Sequence, residues 1–249
     1  MSSPLVGKSA QSSDRRFVYP RSMTDEAITF PTGSATVSVS TLLRVPPDAH
    51  AMYVFAHGAG AGMTHAFMAA FADGLAARGV ASLRFQFPFV EHGSKRPDTP
   101  AVAHATVRAA VARAAAVAPA LPLFAGGKSF GGRMTSQAQA IEPLPGVRGL
   151  VFVGFPLHPD GRPSIDRAAH LRDVALPMLF LQGTRDALAD LALLRPVVQD
   201  LGARATLHEV ADADHAFHVR KSSGRDDAGA RDEMLDATVA WMRVVVERR

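Results

Sequence analysis

The stretch LPLFAGGKSFGG, residues 121–132, joins a short apolar run to a Gly-Lys-Ser-Phe-Gly turn and then opens a helical segment. Gly127, Ser129 and Gly131 fit the pattern G-x-S-x-G. Between a strand and a helix, that pattern marks a turn so tight that a Cβ on a flanking glycine would strike neighbouring backbone. The turn pushes the serine hydroxyl out at the carboxyl end of the sheet. The helix behind it offers free N–H groups where an oxyanion would develop. A plainer reading competes, because Ser129 also suits the N-cap of a helix over 130–141. The rest of the chain must decide between them.

A hydroxyl becomes a nucleophile only with a base beside it, and the base needs an acid to orient it. In a strand–turn–helix setting of this kind the partners follow in the order Ser, acid, His, each just after a later strand. LPMLFLQGTRDALAD (176–190) reads as a strand, then Gly183, then Asp186 in the loop. Asp186 is the acid candidate; an Asx-turn is its plainer role, and Asp190 falls within the next helix. ATLHEV (205–210) reads as a strand, and ADADHAF (211–217) is the loop after it. His215 is therefore the base candidate. Its rivals are weaker: His208 sits within the strand, and His218 needs a longer loop. Asp212 and Asp214 are expected to shape that loop by side-chain-to-backbone hydrogen bonds. The run Ala56-His57-Gly58-Ala59-Gly60-Ala61-Gly62 is small enough to approach a bound carbonyl closely. The N–H groups of Ala59 and Phe130 are the expected oxyanion hole. His57 is expected to hold loop backbone and not to move protons.

Outward from these loops, strand and helix patterns alternate. Strands are predicted over 35–45 (a half-buried edge strand), 51–58, 80–87, 121–127, 147–156, 176–183 and 203–210. Helices are predicted over 64–78, 99–118, 130–141, 189–201 and 227–248, the first with Thr64 as N-cap and Gly79 as C-cap. Such alternation predicts an α/β fold: a mostly parallel sheet covered by helices on both faces. Residues 1–22 are polar and Ser-rich and read as a flexible lead; residues 23–249 read as one domain. Between 156 and 176 there is room for one short helix and not for a large lid.

Composition narrows the function. The 249 residues are 47% apolar, as in globular proteins, and the formal charge of +4 is too small to argue for nucleic acid. No cysteine is present, which removes disulfides, thiolate metal sites and cysteine nucleophiles. The start lacks an apolar signal core and no stretch suits a membrane span, so a cytoplasmic protein with no membrane partner is expected. A P-loop is excluded because position 122 is Pro, and a dinucleotide fingerprint because position 63 is Met. The ten histidines show no H-E-x-x-H spacing, so neither a metal nor a cofactor is expected. The tract 220–233 mixes charges and reads as a solvated loop. Lys128 and Arg133 flank Ser129. They suit either an electropositive rim for acidic substrates or, for Arg133, an ion pair with Glu91 or Asp98, and the pair is the favoured expectation.

The pieces HGAGAG, GGKSFGGR, LQGTRD and DADHAF, in this order, resemble the α/β-hydrolase fold over roughly residues 25–248. HGAGAGMTHAFM, LRFQFPFVEHG with RPD, and GGKSFGGRM further resemble its small, nearly lidless branch. That branch includes the testis-expressed and NSL-complex-subunit hydrolase-like proteins and their bacterial relatives. The resemblance implies Ser129 as nucleophile, His215 as base and Asp186 as acid. The expected activity is that of a serine hydrolase, carboxylesterase-like, on a small-molecule acyl substrate. Phe87, Phe89, Phe130, Phe155 and Leu188 are expected around an open, modest acyl site. A thioesterase or peptidase with the same triad, and a non-catalytic interaction scaffold, are the alternatives. The oligomeric state is left open.

Overall fold

The computed structural model describes residues 24–33 and 35–248. The expected flexible lead, residues 1–22, lies outside them. Eight strands form one sheet: β1 (Thr24–Thr32), β2 (Ala35–Arg44), β3 (Ala51–Ala56), β4 (Val80–Phe85), β5 (Leu123–Lys128), β6 (Val147–Val153), β7 (Met178–Gly183) and β8 (Ala205–Val210). Their spatial order is β1-β2-β4-β3-β5-β6-β7-β8. The first two strands pair antiparallel to their neighbours, and every pairing from β4 to β8 is parallel.

The edge differs from the sequence expectation. β2 is not the edge strand, because β1 pairs along its whole length from Thr24↔Leu43 to Thr32↔Ala35. The segment TDEAITFPT hid this strand: only Ile28 and Phe30 turn inward, and Pro31 weakens any strand pattern. An edge position tolerates both features, since its outer row of N–H groups has no partner strand to serve.

The central strands are buried on both faces, and their period of two sorts side chains between two cores. On β3, Met52, Val54 and Ala56 join one core and Tyr53 and Phe55 the other. The first core is closed by α3 (Pro100–Val117), α4 (Phe130–Ile141) and α5 (Leu191–Asp200), through residues such as Val107, Met134 and Leu194. The second is closed by α1 (Ala66–Ala76) and α6 (Asp227–Glu247), through Phe71, Leu75, Met234 and Leu235. A single turn, α2 (Pro88–Glu91), follows β4. The N-cap of α1 is His65, one residue after the expected Thr64; its ring accepts the Phe67 N–H. The C-cap is Ala77, two residues before the expected Gly79, which lies past the helix end at φ +75°. Between β6 and β7 there is one short 3₁₀ segment, Asp166–Asp173, tied to α4 by a hydrogen bond between His170 Nε2 and Ser136 Oγ at 2.8 Å. Among the described residues, no helix is long and apolar enough to cross a membrane.

All parallel strands run the same way, so the loops after β3, β5, β6, β7 and β8 meet at one rim. That rim is where a site built from distant parts of the chain can form.

Candidate active site

Ser129 sits between β5 and α4 with φ 51° and ψ −116°, a left-handed conformation that costs a non-glycine residue free energy. The turn is tight because glycines let strands and helix close together. A Cβ on Gly127 would lie 2.4 Å from the Ala56 carbonyl oxygen. One on Gly131 would lie 2.6 Å from both the Ala56 and His57 oxygens. The turn is held by the Ser129 N–H donating to the Val153 oxygen at 3.1 Å. Ser129 is the residue before α4, as the capping reading requires, yet its side chain makes no cap hydrogen bond. Its hydroxyl instead faces an imidazole.

His215 Nε2 lies 2.8 Å from Ser129 Oγ, and His215 Nδ1 lies 2.7 Å from Asp186 Oδ2. A carboxylate accepts, so Nδ1 carries the proton and Nε2 is free to accept the serine proton. The Asp186 side chain is fully shielded from solvent. It is fixed by the Leu188 N–H donating to Oδ1 at 2.8 Å and by Gln182 Nε2 donating to Oδ2 at 2.5 Å. Gln182 in turn accepts the Phe155 N–H at 3.0 Å. The rivals are engaged elsewhere: His208 pairs with Glu233 at 2.9 Å, His218 with Asp227 at 2.6 Å, and Asp190 caps α5 by accepting the Ala192 N–H.

The loop carrying His215 is built from local chemistry. Asp214 Oδ1 accepts the N–H groups of Ala216 and His218, at 2.9 and 3.0 Å. Asp212 acts through its backbone and not, as expected, through a side-chain bond: φ is 58°, and its N–H donates to Thr184 Oγ1 at 2.9 Å. Lys128 Nζ donates to the His215 carbonyl oxygen and lies 5.1 Å from the Phe217 ring centre. Burial pushes the Lys128 pKa down to about 8, against the pull of Asp186 and Asp214.

His57 is fully buried. Its Nδ1–H donates to the Gly58 oxygen at 2.8 Å, and its Nε2 accepts the Phe87 N–H at 2.9 Å. Burial drives its pKa down to about 4, so the ring is neutral and serves as a brace for the loop that carries Ala59. Phe130 opens α4, so its N–H stands at the open end of that helix beside Ser129.

Two cavities meet at Ser129, and both are lined by Ala59 and Leu188. The first, about 360 Å³, has walls of Phe67, Met68, Lys128 and His215. The second, about 390 Å³, runs the other way past Phe130, Met134, Arg133 and Arg167. Of the aromatic residues expected around the site, Phe130 lines the second cavity, and Phe89 lines a separate groove along residues 59–62. Phe87 and Phe155 line neither. Both are fully buried, Phe87 against His57 and Phe155 against Phe152 and Phe180. Strand ends are not all rim: these two rings turn down into the core. The sequence reading missed Phe67 and Met68, because a stripe at helical spacing signals core; Phe71 and Leu75 of the same stripe are indeed core. It also missed Gln182, whose amide follows an apolar run with no motif to mark it.

The expected ion pair of Arg133 is not formed. Glu91 is occupied by the Ser40 N–H and hydroxyl, at 3.0 and 2.8 Å, and Asp98 accepts the Phe89 N–H at 3.1 Å. Among the described residues, no group of three or more histidine, aspartate or glutamate side chains is arranged to hold a metal ion.

The sequence pattern of the alpha/beta hydrolase domain matches residues 49–243. Among solved structures, a serine hydrolase without a lid from Xanthomonas campestris is similar, at 21% identity and TM-score 0.68, over 90% of this chain and 97% of that one. An alpha-beta serine hydrolase homologue from Coxiella burnetii is similar at 18% identity and TM-score 0.69, over 90% of this chain and 99% of the other. Dienelactone hydrolase from Anabaena variabilis is similar at 21% identity and TM-score 0.67, over 89% and 97%. At these identities the likeness is one of fold.

Proposed function

The chain belongs to the alpha/beta hydrolase domain family, and from that premise we propose that it is a serine hydrolase that cleaves carboxylic esters through an acyl-enzyme. The observation that carries the reading is the unbroken hydrogen-bond chain from Asp186 through His215 to Ser129, on a serine held in a strained turn.

Ser129 Oγ attacks the ester carbonyl carbon while His215 Nε2 takes its proton. Asp186 stabilises the imidazolium and keeps the ring in the productive tautomer. The carbonyl electrons move onto oxygen, where the N–H groups of Phe130 and Ala59 receive the charge. As the tetrahedral species collapses, the C–O bond to the alcohol breaks and His215 returns its proton to the leaving oxygen. Water then attacks the acyl group, with its proton passing to the same nitrogen. Collapse of the second tetrahedral species restores Ser129 and releases the acid. No step needs a cofactor. The first cavity, walled by Phe67 and Met68, suits a modest apolar group and favours a small or surface-presented substrate.

The test is turnover of short-chain p-nitrophenyl esters beside labelling with a fluorophosphonate probe. Ser129→Ala is expected to lose about 10⁴-fold or more in kcat/KM and all labelling. Wild-type protein that neither turns over nor labels would instead identify a scaffold that kept only the shape. Turnover confined to thioesters or amides would keep the triad and change the bond.

A further inference from the structure

We propose that the cavity walled by Arg133 and Arg167 is a carboxylate-binding subsite, so that the substrate is an ester carrying a free carboxylate beside the scissile bond. This rests on the hydrolase reading and names its substrate class.

Four observations carry it. First, the cavity, about 390 Å³, contains Ser129 and Phe130, so whatever fills it lies against the nucleophile. Second, Arg133 and Arg167 both line it, and among the described residues neither guanidinium has a hydrogen bond or an ion pair within the protein. Arg133 Nε is buried with no partner at all, and its guanidinium lies 5.9 Å from the Phe130 ring centre. Third, burial and the Arg167 charge both lower the Arg133 pKa, so two like charges share one wall unneutralised. Fourth, Asp98, the acid that also lines this cavity, already accepts the Phe89 N–H, and its own pKa is raised by burial.

A buried donor without a partner is costly, and two adjacent guanidinium groups repel each other. An oxyanion between them relieves both penalties. A carboxylate fits better than a phosphate. Its two oxygens match the planar fork of a guanidinium, and apart from Asp98 and Ser129 the remaining wall is apolar, with Pro97, Met134 and Pro156 offering a third phosphate oxygen no donor. Arg133 is one turn into α4, which begins at the residue after Ser129, so the spacing between nucleophile and cation is fixed by a rigid element.

The experiment compares kcat/KM for matched esters. p-Nitrophenyl hemiglutarate against p-nitrophenyl valerate places the charge on the acyl side. 4-Carboxyphenyl butyrate against phenyl butyrate places it on the leaving group. One anionic ester is expected to exceed its neutral match by about tenfold or more, and that ratio is expected to fall towards one in Arg133→Gln and Arg167→Gln. Arg167→Glu should invert it. Circular-dichroism melts establish that each variant is folded, and Arg167→Gln, away from the helix core, is the safer of the two. Equal or poorer hydrolysis of both anionic esters, or a preference that survives the double substitution, overturns the proposal.

Should no ester be turned over and no probe bind, the hydrolase reading fails on its own. The subsite is then judged by calorimetry on Ser129→Ala protein with monomethyl glutarate and with inorganic phosphate. Binding of the glutarate that is lost in the arginine variants sustains it. No binding, or tighter binding of phosphate, sinks it.

Discussion

The side-chain amide of Gln182 stands 2.5 Å from Oδ2 of Asp186. The same oxygen is 2.7 Å from His215 Nδ1, and the other face of Gln182 accepts the Phe155 N–H, so one amide ties the acid to the loop after β6. With no solvent reaching Asp186, the amide is part of what keeps the carboxylate correctly turned.

Gln182→Leu should therefore cost twice. It leaves the Phe155 N–H without its acceptor in a dry interior, worth about 1–3 kcal/mol of stability. It also frees Asp186 to rotate, which should lower kcat by about tenfold or more with KM little changed. Steady-state kcat and KM for one ester beside a denaturant melt check both; an unchanged kcat would show that Gln182 only packs.

The three residues that meet at the candidate site were legible because each lies in a loop just past an apolar run: Ser129 after LPLFAGGK, Asp186 after LPMLFLQG, His215 after ATLHEV. Periodicity located the runs, and turn chemistry located the loops. What was hidden depends on which way a side chain turns within an element already identified. Phe67 and Phe71 are four apart on α1 and stack at 5.8 Å, yet Phe71 is core and Phe67 lines the cavity, since the first turn of α1 overhangs the rim. Phe87 was read as rim from its place past β4, but the Phe87–His57 contact at 4.9 Å draws it under the loop. The edge strand β1 was hidden because an edge needs only one buried face, and Pro31 masks even that.

The closeness of the turn to β3 yields a second expectation. Gly131→Ala places a methyl 2.6 Å from two main-chain oxygens that cannot move without unpicking β3. It should cost about 3 kcal/mol or more. For a chain of this size that lowers the melting temperature by about 6 °C or more. Gly60→Ala is the control, since a Cβ there meets nothing within 4 Å. Equal melting temperatures for the two variants would mean that the elbow is far less tight than described.

Acid sensitivity follows from His57. Its folded pKa is about 4 against an ordinary 6.5, because burial disfavours the charged ring. Between those values the unfolded chain takes up a proton that the folded chain refuses, so stability falls as pH falls from about 6.5 to about 4. The limiting loss is on the order of 3 kcal/mol at 1.36 kcal/mol per pKa unit. His170, also pushed down to about 4 by burial and then by Arg133, acts in the same direction. Melts at pH 7 and pH 4.5 should show the drop. His57→Gln should start less stable at pH 7 but lose less on acidification. An identical pH slope in that variant would remove His57 as the cause.

Lys128 is expected to trade stability for positioning. Burial lowers its pKa from 10.5 to about 8, so below pH 8 the folded protein carries an ammonium at a cost, and stability should rise with pH across that interval as the unfolded chain keeps its proton longer. Lys128→Met removes the cost and should be as stable as wild type or more so at pH 7, with no rise between pH 8 and 10.5. The same change deprives the His215 carbonyl of its donor, and the loop bearing the imidazole loses its tether to the strand that ends at Ser129. kcat should fall by about tenfold, because a base displaced by a fraction of an ångström transfers the proton less well. Thermal melts across that pH range, paired with kcat and KM for one neutral ester, separate the two effects. A variant that is less stable at pH 7, or one that keeps full kcat, would show that the ammonium does not play this double part.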